Sequence, residues 1–373
     1  MSTPHDDFTI IRAWQEIVAQ AIHARATDIH VEAHEDTTAI RIRVDGALQL
    51  MGKRNDIAHE RIIARIKVLA RLDIAEQRLP QDGRLLLGLN YSKPDMDCRV
   101  SILPTLHGEK AVLRLLPSGA HELDMGKLGL HPEQQALLAD AIKQPDGLIL
   151  VTGPTGSGKT RTLYSCLNQL NRNHRNVCSI EDPIEIRLPG VNQVAYHPKA
   201  GLDFSCIVRA MLRQDPDVIL IGEIRDAATA KLAIQAAQTG HLVLSTLHTR
   251  GAIASAHRLH GLGITNDELR DCLRCITSQR LVRTLCSLCH GRRTDLPCTQ
   301  CHGSGLLGRI GVHEVLPFSP AMGCAFERHT SIAELTQYAK SIGFEDLHTA
   351  GMRHVAQERI TETELHAQIG SWH

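Results

Sequence analysis

Aromatic residues are scarce in this chain of 373 residues: Phe, Tyr and Trp together supply 3%. Few rings leave little surface on which bases could stack. Lys plus Arg equal Asp plus Glu at 41 each, so no global positive field gathers nucleic acid. No apolar run approaches the ~18 residues of a membrane-spanning helix. The N-terminus, MSTPHDDFTII, lacks the basic-then-apolar layout of a signal peptide. The expected compartment is therefore the cytoplasm, where thiols stay reduced. The 11 cysteines are then no disulfide framework, and metal binding or burial must account for them. What is present is ordinary for a soluble protein: 43% hydrophobic and 22% charged residues, with chain enough for about two domains.

Two rhythms divide the sequence. Residues 1–117 predict an α+β domain, with amphipathic helices over 8–26 and 57–72 and an alternating strand over 39–44. Asp45-Gly46 supplies a hairpin turn, and short strands follow over 84–89, 97–103 and 111–116. Residues 118–126 read as a polar linker. Over 127–373 a helix at 131–143 leads into apolar strands at 148–152, 177–180, 218–221 and 242–245. Helices alternating with such strands predict an α/β domain around a mostly parallel sheet. The pattern also predicts a helix over 267–281 and a mainly helical remainder, broken by a cysteine-rich loop. No internal repeat is evident.

Four phosphate-chemistry motifs lie in a row. GPTGSGKT (Gly153, Pro154, Thr155, Gly156, Ser157, Gly158, Lys159, Thr160) follows an apolar strand and precedes a helix, the context of a P-loop. Its glycines let backbone N–H groups turn toward phosphates, and the helix N-terminus adds positive potential. Lys159 is the candidate for the β- and γ-phosphates of ATP, and Thr160 for Mg²⁺. SIEDPIE ends a second strand on Glu181 and Asp182, which can face the same cleft or merely cap a turn. RAMLRQDPDVILIGEIRD places Glu223 beyond a third strand, as candidate to orient or deprotonate the attacking water. Arg209 and Arg213 share a helix face and suit the charge that develops in phosphoryl transfer. His241 and His248 flank the strand of TGHLVLSTLHT, where a histidine can sense a γ-phosphate or be purely structural.

These motifs, in this order, resemble the Walker A, Asp box, Walker B and His box of the secretion ATPase superfamily. The nearest branch is the type II secretion and type IV pilus assembly ATPase family. RATDIHVE, RIRVDGAL, AEQRLPQDGR and SILPTLHGEKAVLRLL resemble its second N-terminal domain, so the likeness covers nearly the whole chain. The resemblance implies a PAS-like N-terminal domain joined to a RecA-like ATPase domain. It implies a cytoplasmic homohexamer, peripheral at the inner membrane, that drives a membrane platform protein by ATP hydrolysis. It also implies that Arg84 and Arg99 close over the phosphates when the domains clamp, and that Arg209, Arg213 and Glu223 match the family's catalytic groups. Glu181 and His248 fall in its Asp and His boxes. Three departures stand out. The chain opens at the PAS-like region, without the domain by which secretion members dock a membrane adaptor. Arg161 replaces a small hydroxyl residue. QERITETEL lacks the glycine usual before its threonine.

Cys286, Cys289, Cys298 and Cys301 form two CxxC pairs, a pattern that lets four thiolates surround one Zn²⁺. The family's assembly and secretion members carry a similar, usually longer loop, and retraction motors lack it. Cys272 and Cys275 form a third pair on the predicted helix, where they pack or ligate, and His290 and His302 could substitute as ligands. The expected function is a motor for a type II secretion pseudopilus or a type IV pilus, with a competence-pilus motor for DNA uptake as the alternative. A RecA-like nucleic-acid motor is disfavoured by charge and composition, and no direct nucleic-acid contact is expected. A GTP switch lacks an NKxD-type tetrapeptide, and a non-catalytic subunit would not need Glu223 and both arginine pairs.

Overall fold

Period-two alternation builds the first part of the chain. The computed structural model describes residues 4–87, 96–116, 123–171, 174–197, 200–292, 298–328 and 331–370. It divides into two compact units, Met1–Gly119 and Ala120–His373. The expected linker, 118–126, lies outside the described residues up to 122. Leu123 and Met125 beyond it are already buried in the core of the second unit.

In the first unit, α1 (Pro4–His23) and α2 (His59–Ala70) pack on a six-stranded sheet. The strands are β1 (Asp28–Ala33), β2 (Thr38–Val44), β3 (Ala47–Arg54), β4 (Gln81–Leu87), β5 (Met96–Thr105) and β6 (Gly108–Leu116). Their order is β3-β2-β1-β6-β5-β4, with every neighbouring pair antiparallel. Asp45 and Gly46 both take positive φ, 49° and 85°, as a two-residue hairpin turn requires. Ile29, Val31, Ile40, Val100, Ile102 and Leu113 bury one face against Trp14, Ile17, Ile62 and Ile66. The residues between them, including Asp28, His30 and Glu32, project to the other face. There Glu32 accepts two hydrogen bonds from Arg41, at 2.6 and 2.7 Å, and pairs with Lys110 at 2.7 Å.

The second unit is built on α3 (Pro132–Ile142), β7 (Gly147–Thr152), α4 (Lys159–Leu170), β8 (Val177–Glu181), β9 (Val191–Ala195) and α5 (Phe204–Met211). It continues through β10 (Val218–Ile221), α6 (Ala227–Gln238), β11 (Leu242–Leu247), α7 (Ala252–Gly261) and α8 (Asn266–Cys272). A hairpin follows, β12 (Leu273–Leu285) and β13 (Leu306–Pro317), and then helices α9 (Pro320–Arg328), α10 (Ile332–Ser341), α11 (Leu347–Ala356) and α12 (Glu362–Ile369). The sheet order is β13-β12-β7-β11-β10-β8-β9, parallel except for β12 with β13. Leu148 and Leu150 of β7 belong to one core, and Ile149 and Val151 to another on the opposite face. Both faces are covered, which is why these strands read as unbroken apolar runs.

The helix expected over 267–281 is corrected by the structure. Helix α8 ends at Cys272 and the chain then extends as β12, between β7 and β13. Burial on both faces removes the alternation that marks a strand. The expected glycine before Thr361 is not needed: Ile360 fills the core, Glu358 takes the positive φ, and Thr361 caps α12 by accepting from Glu364 N–H. No described helix is long and apolar enough to cross a membrane.

Candidate active site

Strand β7 ends at Thr152 and the GPTGSGKT loop carries the chain into α4. Gly153 and Gly158 take φ of 140° and 91°, open to glycine at little cost. A Cβ on Gly153 would stand 2.6 Å from the Gln279 carbonyl oxygen, so only glycine permits this approach. Pro154, Thr155 and Gly156 are exposed, Ser157 is buried, and Thr160 is half-buried on the first turn of α4. Lys159 folds back on the loop, donating to the carbonyls of Gly153 at 2.8 Å and Pro154 at 3.0 Å. Burial lowers the pKa of its ammonium; Glu223 opposes the shift and Arg280 adds to it. Lys159, Glu223 and Arg280 therefore share one electrostatic neighbourhood. Arg161 is exposed.

The neighbouring parallel strands bring their carboxyl ends to the same edge of the sheet. Glu223 follows β10, Asp182 follows β8 and His248 follows β11. Ser245 donates to the Ile221 carbonyl and Thr246 to that of Gly222, each at 2.7 Å, which fixes β10 against β11 just before Glu223. Glu223 is ion-paired with Arg225 and lies 3.3 Å from His248 Nε2. Arg225 also approaches Asp182 at 3.7 Å. The result is a cluster of two acids, one guanidinium and one imidazole beside the P-loop edge, with Glu223 half-buried and Asp182, Arg225 and His248 exposed. Such a cluster can hold a water, pass a proton and balance phosphate charge.

Glu181 is 5% exposed and turned inward. Its carboxylate accepts from Tyr164, from Ser179 at 2.6 Å and from Gln193 at 3.1 Å. Burial and the adjacent Glu181 charge push the Tyr164 hydroxyl pKa strongly up, so Tyr164 stays a donor. At the sheet edge the acid of this pair is Asp182. His241 immediately precedes β11, at the opposite edge from His248, and its Nδ1 lies 2.9 Å from the Ala236 carbonyl. Arg209 and Arg213 are both exposed but do not share a helix as expected: Arg209 is on α5, and Arg213 lies in a turn two residues beyond its end, donating to the Arg209 carbonyl at 2.9 Å. In the first unit, Arg84 and Arg99 are directly paired across β4 and β5, and Arg114 of β6 pairs with Arg99.

Two residues escape motif reading. Gln279 of β12 donates to the Ser157 carbonyl at 2.7 Å and accepts from Thr162 at 2.8 Å. Arg280 donates to the carbonyls of Gln279 and Arg250, each at 2.9 Å. Behind them Glu314, which burial pushes up to about 7, accepts from the first N–H of α7 at 2.8 Å and of α11 at 3.2 Å. Only the tertiary register of β12 against β7 could have revealed the first two.

The four cysteines of the paired CxxC motifs converge at the tip of the β12–β13 hairpin. Their Sγ atoms all lie within 4.8 Å of one another, with Cys286 to Cys298 at 3.8 Å and Cys289 to Cys301 at 3.6 Å. A tetrahedral ion with ~2.3 Å metal–sulfur bonds needs sulfurs ~3.8 Å apart, so the set fits one metal ion. Each pair continues into His-Gly, and His290 and His302 share φ near 50° (49° and 51°). These paired hooks are a short repeat that the sequence reading missed, and the cysteines form the cluster without either histidine. Cys272 and Cys275 lie away from it, buried among apolar groups that push their thiols up to about 11 and 12.

A family model described as "Type II/IV secretion system protein" matches residues 3–367. The type IV pilus assembly ATPase PilB of Acinetobacter baylyi is 40% identical over 378 residues, covering 94% of this chain and 65% of that protein. This chain thus spans less than two thirds of that relative's length. The protein transport protein HofB homolog of Escherichia coli K12 is 44% identical over 371 residues, covering 95% of this chain and 80% of that one. Among solved structures, the pilus retraction motor PilT with bound ADP aligns with a TM-score of 0.67 at 27% identity, covering 94% of this chain and 95% of that one.

Proposed function

Since the chain belongs to the type II/IV secretion system protein family, we propose that it is an ATP-hydrolysing motor for assembly of a type IV pilus or a type II secretion pseudopilus. The observation that carries this reading is the sharing of one sheet edge by the GPTGSGKT loop, Glu223 and His248. A loop that only bound nucleotide would need no acid there.

In this reading the second unit is a RecA-like ATPase domain and the first a PAS-like domain. Backbone N–H groups of residues 155–160 and the Lys159 ammonium bind the phosphates of ATP. Lys159 leaves the two loop carbonyls it now contacts and reaches the β- and γ-phosphates. Mg²⁺ accompanying ATP would be held by the Thr160 hydroxyl and would supply charge neutralisation. Glu223 orients water for attack on the γ-phosphorus and takes its proton as the bond to the β-phosphate oxygen breaks. His248, 3.3 Å from Glu223, fixes that carboxylate and is placed to respond to loss of the γ-phosphate. Glu181 holds the end of β8 from inside. Arg209, Arg213, Arg84 and Arg99 neutralise the leaving phosphate charge. Cys286, Cys289, Cys298 and Cys301 would hold Zn²⁺ in the ribbon, where four thiolate ligands would make it a structural rather than a catalytic site.

The motor acts as a homohexamer at the cytoplasmic face of the inner membrane, through a platform protein and without direct nucleic-acid contact. Deleting the gene and assaying surface pili, secreted proteins and transformation side by side tests this. Loss of pili or of secretion is expected. Loss of transformation alone would shift the reading to a DNA-uptake motor, and no change in any assay would overturn it.

A further inference from the structure

Gln279 connects the P-loop to a strand 122 positions further along the chain. It follows Ser278, which pairs with Thr152 at the end of β7. It is 2% exposed. The Ser157 carbonyl can only accept, which sets the Gln279 amide with Nε2 toward Ser157 at 2.7 Å. Oε1 then faces the Thr162 hydroxyl at 2.8 Å, on the first turn of α4. Gln279 also meets both glycine ends of the loop. Its carbonyl oxygen lies 2.6 Å from the place of a Cβ on Gly153, and its Nε2 3.1 Å from that of a Cβ on Gly158.

In a trans peptide the C=O and the following N–H point in opposite directions. Holding the Ser157 carbonyl toward β12 therefore turns the Gly158 N–H to the other side of the loop, away from the protein interior. We infer that Gln279 is a positioning residue for nucleotide binding: it sets the Ser157–Gly158 peptide so that the Gly158 N–H meets a nucleotide phosphate. The inference rests on the reading of this loop as the ATP site. The bond is buried, so losing it strands a desolvated carbonyl and lets the peptide rotate.

The test is binding of a fluorescent ATP analogue with Mg²⁺ to the full chain, together with steady-state turnover. Gln279→Met should weaken binding ~10-fold or more, with a much smaller effect on turnover at saturating ATP. Gln279→Glu keeps the shape but donates only when protonated. Its affinity relative to wild type should therefore recover as pH falls, while its far-UV circular dichroism stays that of the wild type across the same range. Thr162→Val keeps the donor to Ser157 but frees Oε1, and should cost ~3-fold. Wild-type affinity in folded Gln279→Met overturns the inference, as does a Gln279→Glu pH profile identical to that of the wild type. Should Gln279→Met fail to fold, wild-type affinity in Thr162→Val overturns it instead. If the unmodified chain binds no ATP, it is the ATP-site reading that fails.

Discussion

Arg84 and Arg99 stand directly opposite each other on neighbouring antiparallel strands, and Arg114 stands opposite Arg99 on the next. Directly opposed like charges destabilise a sheet. The row runs on through Asp28, 3.1 Å from Arg114, to Arg43. The row carries four guanidiniums and one carboxylate, so positive charge predominates along it.

Removing charge from that row should separate activity from stability. Arg84→Ala and Arg99→Ala should each lower ATP turnover roughly 10²-fold if these groups meet the transferring phosphoryl group. The melting temperature should change little by comparison, since neither side chain belongs to the apolar core of this unit. Turnover and thermal melts on the same preparations check this. Parallel loss of both would mark the arginines as structural.

At the sheet edge, Lys159→Ala should abolish binding of Mg·ATP, measured by equilibrium titration. Glu223→Gln should still bind ATP while turnover falls ~10²–10⁴-fold. Unchanged turnover in the glutamine variant would remove Glu223 from the role of base.

Metal analysis of protein purified with reducing agent should find one zinc per chain. Cys298→Ser should lower that content, and a strong chelator should lower the melting temperature. Nucleotide affinity should change little, since the ribbon is at the tip of the hairpin. A metal-free, fully stable protein would refute the site.

Two buried histidines packed beside a third set an acid limit on stability. His313 Nε2 lies 3.0 Å from the Leu128 carbonyl, His354 Nε2 3.0 Å from that of Gly129, and His131 stacks on His354. Burial, reinforced by the nearby His131, pushes His313 and His354 down to about 4. A histidine depressed on folding stabilises fully above ~6.5 and loses that contribution as pH falls through its folded value. Melting temperature should therefore drop between pH 6.5 and 4. The drop should shrink in His313→Gln, whose amide nitrogen reproduces the Nε2 donor. An unchanged slope would exclude His313 as the titrating group.

Much of this site was legible in the sequence. GPTGSGKT, the four parallel strands beside it and the positions of Glu223 and His248 follow from local pattern and strand polarity. Glu181 shows the limit: its place at a strand end is readable, but the inward turn toward Tyr164, Ser179 and Gln193 depends on neighbours that pattern does not reveal. Strand β12 shows another. A strand buried on both faces has no alternation, and Leu269, Cys272, Cys275 and Ile276 also fit a helical face. With that strand misread, the contact of Gln279 with Ser157 could not be foreseen.

That contact makes the nucleotide loop non-portable. A fragment ending at Cys272 would contain every phosphate motif yet lack the strand on which the loop rests. Within the hairpin, Leu285 ends β12 six residues beyond Gln279, ~20 Å along an extended strand. The cysteine loop begins only there. A change in the length of that loop therefore acts at the tip of the hairpin and leaves in place the end that holds Ser157.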